Sequence, residues 1–334
     1  MRLFTGVLLV SMLTAYTGRA QYVPNSGQAF QFASLYNPSF AGVESFGDLK
    51  LAYRYQWTGF KENAPKFINL SYNVRLKQPV DLNLNALRTS QGSSKRSSIP
   101  KGKQMVHGLG LNVFNEQVGL IDRIGGGVTY ALHYPLSRTV RLAGGATVMV
   151  ENTRVDVSKI YLGSDADPDP FYDNLMRSGS NHTELNTRAG LLVYSSRFYL
   201  GAAYYPIWKT DIKSSDISFQ DSYYRGSAQA GLSFPMRQGV TVKPSVLALL
   251  QTDDKLLIDY SVKMYFQQKL WAGLTYRDIQ SGVASAGLTI NDIFSASYSY
   301  EFSTGKIRQF SSGSHELVLA VRVNNFKRQN PQTW

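Results

Sequence analysis

The sequence contains no cysteine. Disulfide staples are therefore excluded, and so is the lipid-modified cysteine of a lipoprotein. After residue 20 no segment approaches eighteen consecutive apolar residues, which excludes a transmembrane helix. Histidine is scarce: His107, His133, His182 and His315 are spaced so that none forms a metal-ligand pair. "SHELVL" lacks the second histidine that a helical zinc site requires. No GxSxG or P-loop pattern appears, so neither a nucleophile elbow nor a phosphate cradle is offered. Acidic charge is also short, with 23 acidic against 35 basic residues.

What is present begins with a leader. Arg2 supplies a positive start, "LFTGVLLVSMLTAY" a short apolar core, and "GRA" small residues before a cut after Ala20. Removing residues 1–20 takes away Arg2 and Arg19 and brings the formal net charge from +12 to +10. A basic exported chain meets anionic lipid, acidic polysaccharide or an acidic protein, and export argues against nucleic acid. The aromatic content, 21 Tyr and 17 Phe in a chain only 43% hydrophobic, fits an outer-membrane β-barrel. A secreted β-sandwich or propeller shares that profile.

The pattern along the chain is alternation with period two. Leu49, Leu51, Tyr53, Tyr55 and Trp57 fall on one face, and Lys50, Ala52, Arg54 and Gln56 on the other. "FINLSYNVRL", "DRIGGGVTYALHY", "VRLAGGATVMVEN", "LLIDYSVKMYF", "IFSASYSYEF" and "SHELVLAVRVNNF" repeat it. The glycines of "RIGGGVTY" permit close strand contact or a bend. Weaker segments near 105–114, 185–194, 197–205, 226–235, 240–250, 269–277 and 282–290 bring the expected total to fourteen strands. Most have the length that a tilted strand needs to cross a bilayer. The expected fold is all-β: a transmembrane up-and-down antiparallel barrel, apolar face to lipid and polar face to the lumen, closed because hydrocarbon tolerates no open edge.

The expected division is a leader at 1–20, a lead-in at 21–45, a barrel at 46–326 and a tail at 327–334. The lead-in is read as a periplasmic-side turn built on Asn37, Pro38, Ala41 and Gly42. Residues 77–104 carry six basic residues and one acidic residue and read as a long basic loop. Residues 152–184 and 206–225 read as two further connections, on opposite sides of the membrane. Asp165, Asp167 and Asp169 are spaced like calcium ligands but lack the turn glycine and the downstream glutamate, so the reading is a solvated acidic loop. On the polar face, Arg54, Gln56, Glu116, Glu301, Glu316 and Arg322 are candidate lumen or contact residues, since a buried charge needs a partner.

Several short motifs occur in a fixed order. "LYNPSFAG" at 35–42, "YRYQWTGF" at 53–60, "FNEQVG" at 114–119, "YALHYPL" at 130–136, "LWAGLTYR" at 270–277, "YSYEFS" at 298–303 and "GSHELVL" at 313–319 together resemble the PorP/SprF family. The resemblance spans nearly the whole chain after the leader. It departs from the family in the long basic 77–104 segment and the terminal "KRQNPQTW". It singles out Asn37, Pro38, Ala41, Gly42, Tyr53, Trp57, Gly313 and His315 as motif positions. It implies a noncatalytic outer-membrane component of the Bacteroidota type IX secretion and gliding motility machinery, without cofactor or metal. The partners it implies are outer-membrane lipid, the periplasmic ring proteins PorK/GldK and PorN/GldN, a PorE-like adaptor, and secreted substrates with a type B C-terminal domain. A porin-like solute channel stands as the alternative, motivated by the polar inner face.

Overall fold

The computed structural model describes residues 26–76, 105–156, 181–213, 224–267, 269–278, 281–304, 308 and 311–324. The leader, the basic 77–104 segment, the aspartates at 165–169 and the tail at 327–334 lie outside the described residues.

The alternating segments form antiparallel strands. In chain order they are β1 (Gly47–Tyr55), β2 (Lys66–Arg75), β3 (Val106–Val118), β4 (Ile121–Pro135), β5 (Arg141–Val155), β6 (Asn181–Tyr194), β7 (Phe198–Tyr204) and β8 (Lys209–Lys213). There follow β9 (Tyr224–Leu232), β10 (Phe234–Pro235), β11 (Val240–Gln251), β12 (Leu256–Phe266), β13 (Leu270–Arg277), β14 (Ser281–Thr289), β15 (Phe294–Ser303) and β16 (Ser314–Val323). Most pair with their chain neighbours, and β1 pairs with β16 from Gly47↔Val323 to Tyr55↔His315, which closes the sheet. β7 and β8 both pair with β6, as two pieces of one barrel strand. β9 and β10 both pair with β11 in the same way. The result is a closed fourteen-stranded barrel.

Burial runs opposite to that of a water-soluble protein. Leu51, Val128, Leu191 and Leu274 are exposed on the outer wall, while Lys50, Arg54, Glu116, His133, Arg277 and Glu316 are buried inside. The outer wall therefore suits hydrocarbon, and the closed ladder leaves no unpaired edge in it.

The two rims differ. One carries the start of β1, the end of β16 and short turns at 136–140, 195–197, 236–239, 267–269 and 290–293. The other carries the β1–β2 connection and the ends of β5, β8 and β15, and so receives most of the longer connections.

Three expectations need correction. Residues 152–184 and 206–225 do not connect on opposite sides: Arg154 pairs with Asn181 and Lys213 with Thr183, at one rim. The reason is parity, since both connections follow an odd-numbered barrel strand. The 206–225 segment is also not all connection, because β8 resumes the strand that β7 began. Trp57 is not the last residue of the first strand. β1 ends at Tyr55, and Trp57 turns away with φ +52°.

The lead-in lies inside the barrel. From Ser26 near the rim of longer connections to Phe46 near the short-turn rim, it runs down the lumen as short turns: a 3-10 turn Ala29–Phe32, one α-turn Ala33–Tyr36 and a 3-10 turn Pro38–Phe40. Such short helical turns do not persist alone, so the wall around them holds them in place.

Candidate functional site

The plug formed by residues 26–46 is clamped at three levels. Near the rim of longer connections, two arginines and three carboxylates converge. Arg54 Nη2 lies 2.5 Å from Glu301 Oε2, and Arg54 Nη1 lies 3.4 Å from Glu316 Oε2. Arg277 Nη1 lies 3.0 Å from Glu301 Oε2, and its Nε 3.4 Å from Asp259 Oδ2. The chain start is tied into this cluster. Ser26 Oγ donates to Glu316 Oε1 at 2.5 Å, Gly27 N–H donates to Glu316 Oε2 at 2.7 Å, and Arg277 donates to the Ser26 carbonyl. A buried charge cluster of this kind is tolerable only because nearly every group has a partner.

At mid-lumen, Lys50 Nζ lies 2.6 Å from Asp48 and donates to the Gln31 carbonyl at 2.6 Å. Gln31 Nε2 donates to Ser297 Oγ at 2.8 Å. Ser227 Oγ donates to the Tyr36 carbonyl at 2.7 Å. Apolar contacts fill the space between. Phe32 packs with Ala52 and Val318, and Tyr36 packs with Tyr205, Tyr224 and Leu249.

Nearer the short-turn rim, Asn37 Nδ2 donates to the Leu191 and Ala202 carbonyls at 3.1 and 3.3 Å, while its Oδ1 accepts from Ser39 N–H at 3.0 Å. This approach requires glycine in the wall. A Cβ at Gly190 would lie 2.1 Å from Asn37 Oδ1, and one at Gly145 2.6 Å from the Pro38 carbonyl carbon. His133 Nε2 donates to the Ala41 carbonyl at 2.8 Å, and its Nδ1 accepts from Tyr194 OH at 2.9 Å. A neutral imidazole satisfies both bonds. Arg75 donates to the Gly42 and Val43 carbonyls at 3.0 and 2.5 Å. Gly42 itself turns the chain with φ +78°.

The structure brings together three of the candidates read from the polar face, Arg54, Glu301 and Glu316. Gln56 is buried next to Arg54, its Oε1 accepting from Arg54 Nε at 3.4 Å. Glu116 stands on another part of the wall, 3.9 Å from Arg123. Arg322 sits separately, with Thr289 Oγ1 at 3.3 Å and the Phe46 ring at 5.9 Å. Of the motif positions, Asn37, Pro38, Ala41 and Gly42 belong to the plug. Tyr53 is exposed on the outer wall. Trp57 N–H donates to Ser314 Oγ at 3.2 Å, and the Gly313 carbonyl accepts from Thr58 N–H at 3.0 Å. His315 Nδ1 lies 2.5 Å from Tyr298 OH. Arg277, Asp259, Arg75 and His133 were not singled out. All four lie on the polar parity of their strands, and that parity was the available signal.

Beside the plug remains an open cavity between Leu35, Tyr36 and a wall bearing Phe67, Phe114, Glu151 and Arg188. Arg188 spans it, 2.8 Å from Glu151 and over the Tyr205 ring at 5.1 Å. At the rim, the ligand atoms of His182, Glu184 and Asp211 lie within 4.8 Å of one another, a grouping that only the β6–β8 pairing creates. Lys209 Nζ, 2.8 Å from Glu184, already supplies it with positive charge.

The family description "Type IX secretion system membrane protein PorP/SprF" matches residues 18–321. The chain belongs to the PorP/SprF family. With its lipid-facing closed wall, this PorP/SprF chain is an outer-membrane β-barrel. Comparison with curated proteins returns no match. Solved structures with a similar course include the toluene transporter TbuX of Ralstonia pickettii, at 10% identity and TM-score 0.49, covering 87% of this chain and 92% of that one. They also include the Acinetobacter baumannii outer membrane protein Omp33, at 10% identity and TM-score 0.45, covering 84% and 99%. The Pseudomonas putida toluene transporter TodX matches at 10% identity and TM-score 0.46, covering 90% and 94%. What those proteins carry is a property of theirs alone.

Proposed function

We propose that this PorP/SprF barrel is a noncatalytic docking component of type IX secretion and gliding motility that works through its rims. Its partners are the periplasmic ring proteins PorK/GldK and PorN/GldN with a PorE-like adaptor, or a secreted substrate's type B C-terminal domain. The observation that supports this reading is the plug. A lumen occupied from Ser26 to Phe46 and bonded to the wall along that length favours a docking role over an open channel. The chemistry of the lumen points the same way. His133 has both ring nitrogens engaged, Nε2 by the plug and Nδ1 by Tyr194 of the wall, and Glu301 faces Arg54 and Arg277.

Deleting the gene and measuring secreted and surface-attached type IX cargo tests the reading. Loss of export or attachment is expected, together with co-purification of ring proteins or of cargo from native membrane. Normal export of every type IX cargo overturns it. Planar-bilayer recording decides between docking component and solute channel: the plugged barrel shows no stable open level, whereas a steady conductance favours the channel.

A further inference from the structure

The mouth of the lumen at the rim of longer connections carries a row of carboxylates. Glu184 on β6 stands directly opposite Glu151 on β5 and directly opposite Asp211 on β8. Like charges in that position oppose strand pairing, so cations are needed among them. Arg188 meets Glu151 at 2.8 Å, and Lys209 Nζ meets Glu184 Oε2 at 2.8 Å. Asp211 Oδ1 faces His182 Nε2. With a neutral imidazole, one lysine stands against the two carboxylates of Glu184 and Asp211, and this group of four keeps one negative charge.

The histidine is placed as a ligand is. Its Nε2 lies 3.6 Å from Glu184 Oε2 and 3.4 Å from Asp211 Oδ1, and the three ligand atoms fall within 4.8 Å of one another. Both separations are longer than an ordinary N–H···O bond of about 2.9–3.0 Å. They are close to about 3.3 Å, the tetrahedral edge that bonds of about 2.0–2.1 Å impose on two ligands of one zinc ion. Asn186 Nδ2 donates to Glu184 Oε1 at 3.1 Å and leaves Oε2 turned toward the histidine. A register shift between Thr183 and Glu184 gives β8 one extra residue, and this bulge brings Asp211 beside His182 and Glu184. His182 and Glu184 are largely screened from solvent while Asp211 is half exposed, which leaves a way in. One imidazole with two carboxylates suits zinc, whereas calcium and magnesium prefer an all-oxygen shell.

We propose that His182, Glu184 and Asp211 bind one divalent cation of the zinc class, with water in the fourth position, and that the ion clips β8 to β6 at the mouth of the lumen. Lys209, which already reaches solvent, is the competitor. Its ammonium withdraws as the ion takes its place on Glu184, and the two carboxylates then balance the two positive charges. β8 is only five residues long, and the ion adds a cross-link to its short ladder. The proposal does not depend on which secretion partner the barrel serves.

The test uses the full mature protein without an affinity tag, folded in detergent and stripped with a chelator. It is titrated with zinc(II) by calorimetry and with cobalt(II) by visible absorption. One equivalent per barrel with the intense bands of tetrahedral cobalt supports the site. His182→Ala and Asp211→Asn are each expected to weaken zinc binding about tenfold or more. Lys209→Met is expected to tighten it about tenfold, because the competing ammonium is gone. Zinc should also slow amide exchange in β8 of the unsubstituted protein, a readout that does not rest on affinity. Absence of saturable zinc binding, or binding that both ligand variants leave intact, overturns the proposal. So does binding that Lys209→Met leaves unchanged or weakens, since the ion then does not replace the ammonium.

Discussion

Arg54 shows what one lumen residue holds. Its guanidinium bridges Glu301 and Glu316, and Glu316 in turn fixes Ser26 and Gly27. Arg54→Ala leaves two buried carboxylates short of a cation, a loss of about 3–5 kcal/mol for a broken buried pair. The expected readout is a lower unfolding midpoint in guanidinium and earlier loss of the compact band on semi-native gels. Arg54→Lys is expected to recover only part of this, because one ammonium does not reproduce a fork that meets two carboxylates. Gly190→Ala tests the opposite wall. The added methyl occupies the place of Asn37 Oδ1, so the plug must detach there while the strand remains tolerant of alanine. Faster amide exchange at Ser39, whose N–H bonds Asn37, with an unchanged barrel spectrum is the expected result. Parity in the sequence was enough to put Arg54, Glu301 and Glu316 on one side. It did not pair them, since they sit on three strands whose spatial neighbourhood depends on closure of β1 against β16.

The plug is the element that the sequence concealed. "SGQAFQFASLYNPSFAGVESF" has neither strict alternation nor a long apolar helical face, so it reads as a lead-in with a turn at Asn37–Gly42. Its backbone groups are satisfied mainly by short-range turns and by wall side chains such as Arg75, His133 and Ser227. No local pattern announces such partners. Because the ladder closes through β1 and β16 without it, deletion of residues 26–46 is expected to leave a folded, heat-modifiable barrel. The truncated barrel should show a steady conductance that the intact protein lacks. If truncation leaves the bilayer silent, the plug is not what occludes the lumen. An intermediate variant, Asn37→Ala with His133→Ala, should give brief openings by releasing the plug near the short-turn rim only.

At the scale of the whole molecule, the barrel is apolar outside and charged inside, so equivalent substitutions act differently on the two faces. Leu274, 68% exposed near the middle of β13, faces lipid. Leu274→Arg places a charge in hydrocarbon and is expected to cost about 2–4 kcal/mol if it lies near the bilayer midplane. Folding into vesicles, titrated with denaturant, measures that loss. Asn112→Ser on the inner wall replaces one polar group with another at a site bonded to Asn69, and a much smaller change is expected. The fourteen strands were legible because about half alternate clearly and the rest do so more weakly, and alternation is a local property of the chain. The corrected details were not local. The resumption of a strand at β8 and the shared rim of the ends of β5 and β8 follow from pairing with β6 and from counting around a closed ring.

The sequence by itself determined the barrel, its strand number, its inward and outward faces and, through its ordered motifs, its family. Those properties are written in period-two patterning and short contiguous words. Only the tertiary structure decided what fills the lumen and which charges meet there. The plug is held by side chains up to 290 positions away, as Ser26 is by Glu316, and such contacts exist only after the ring has closed.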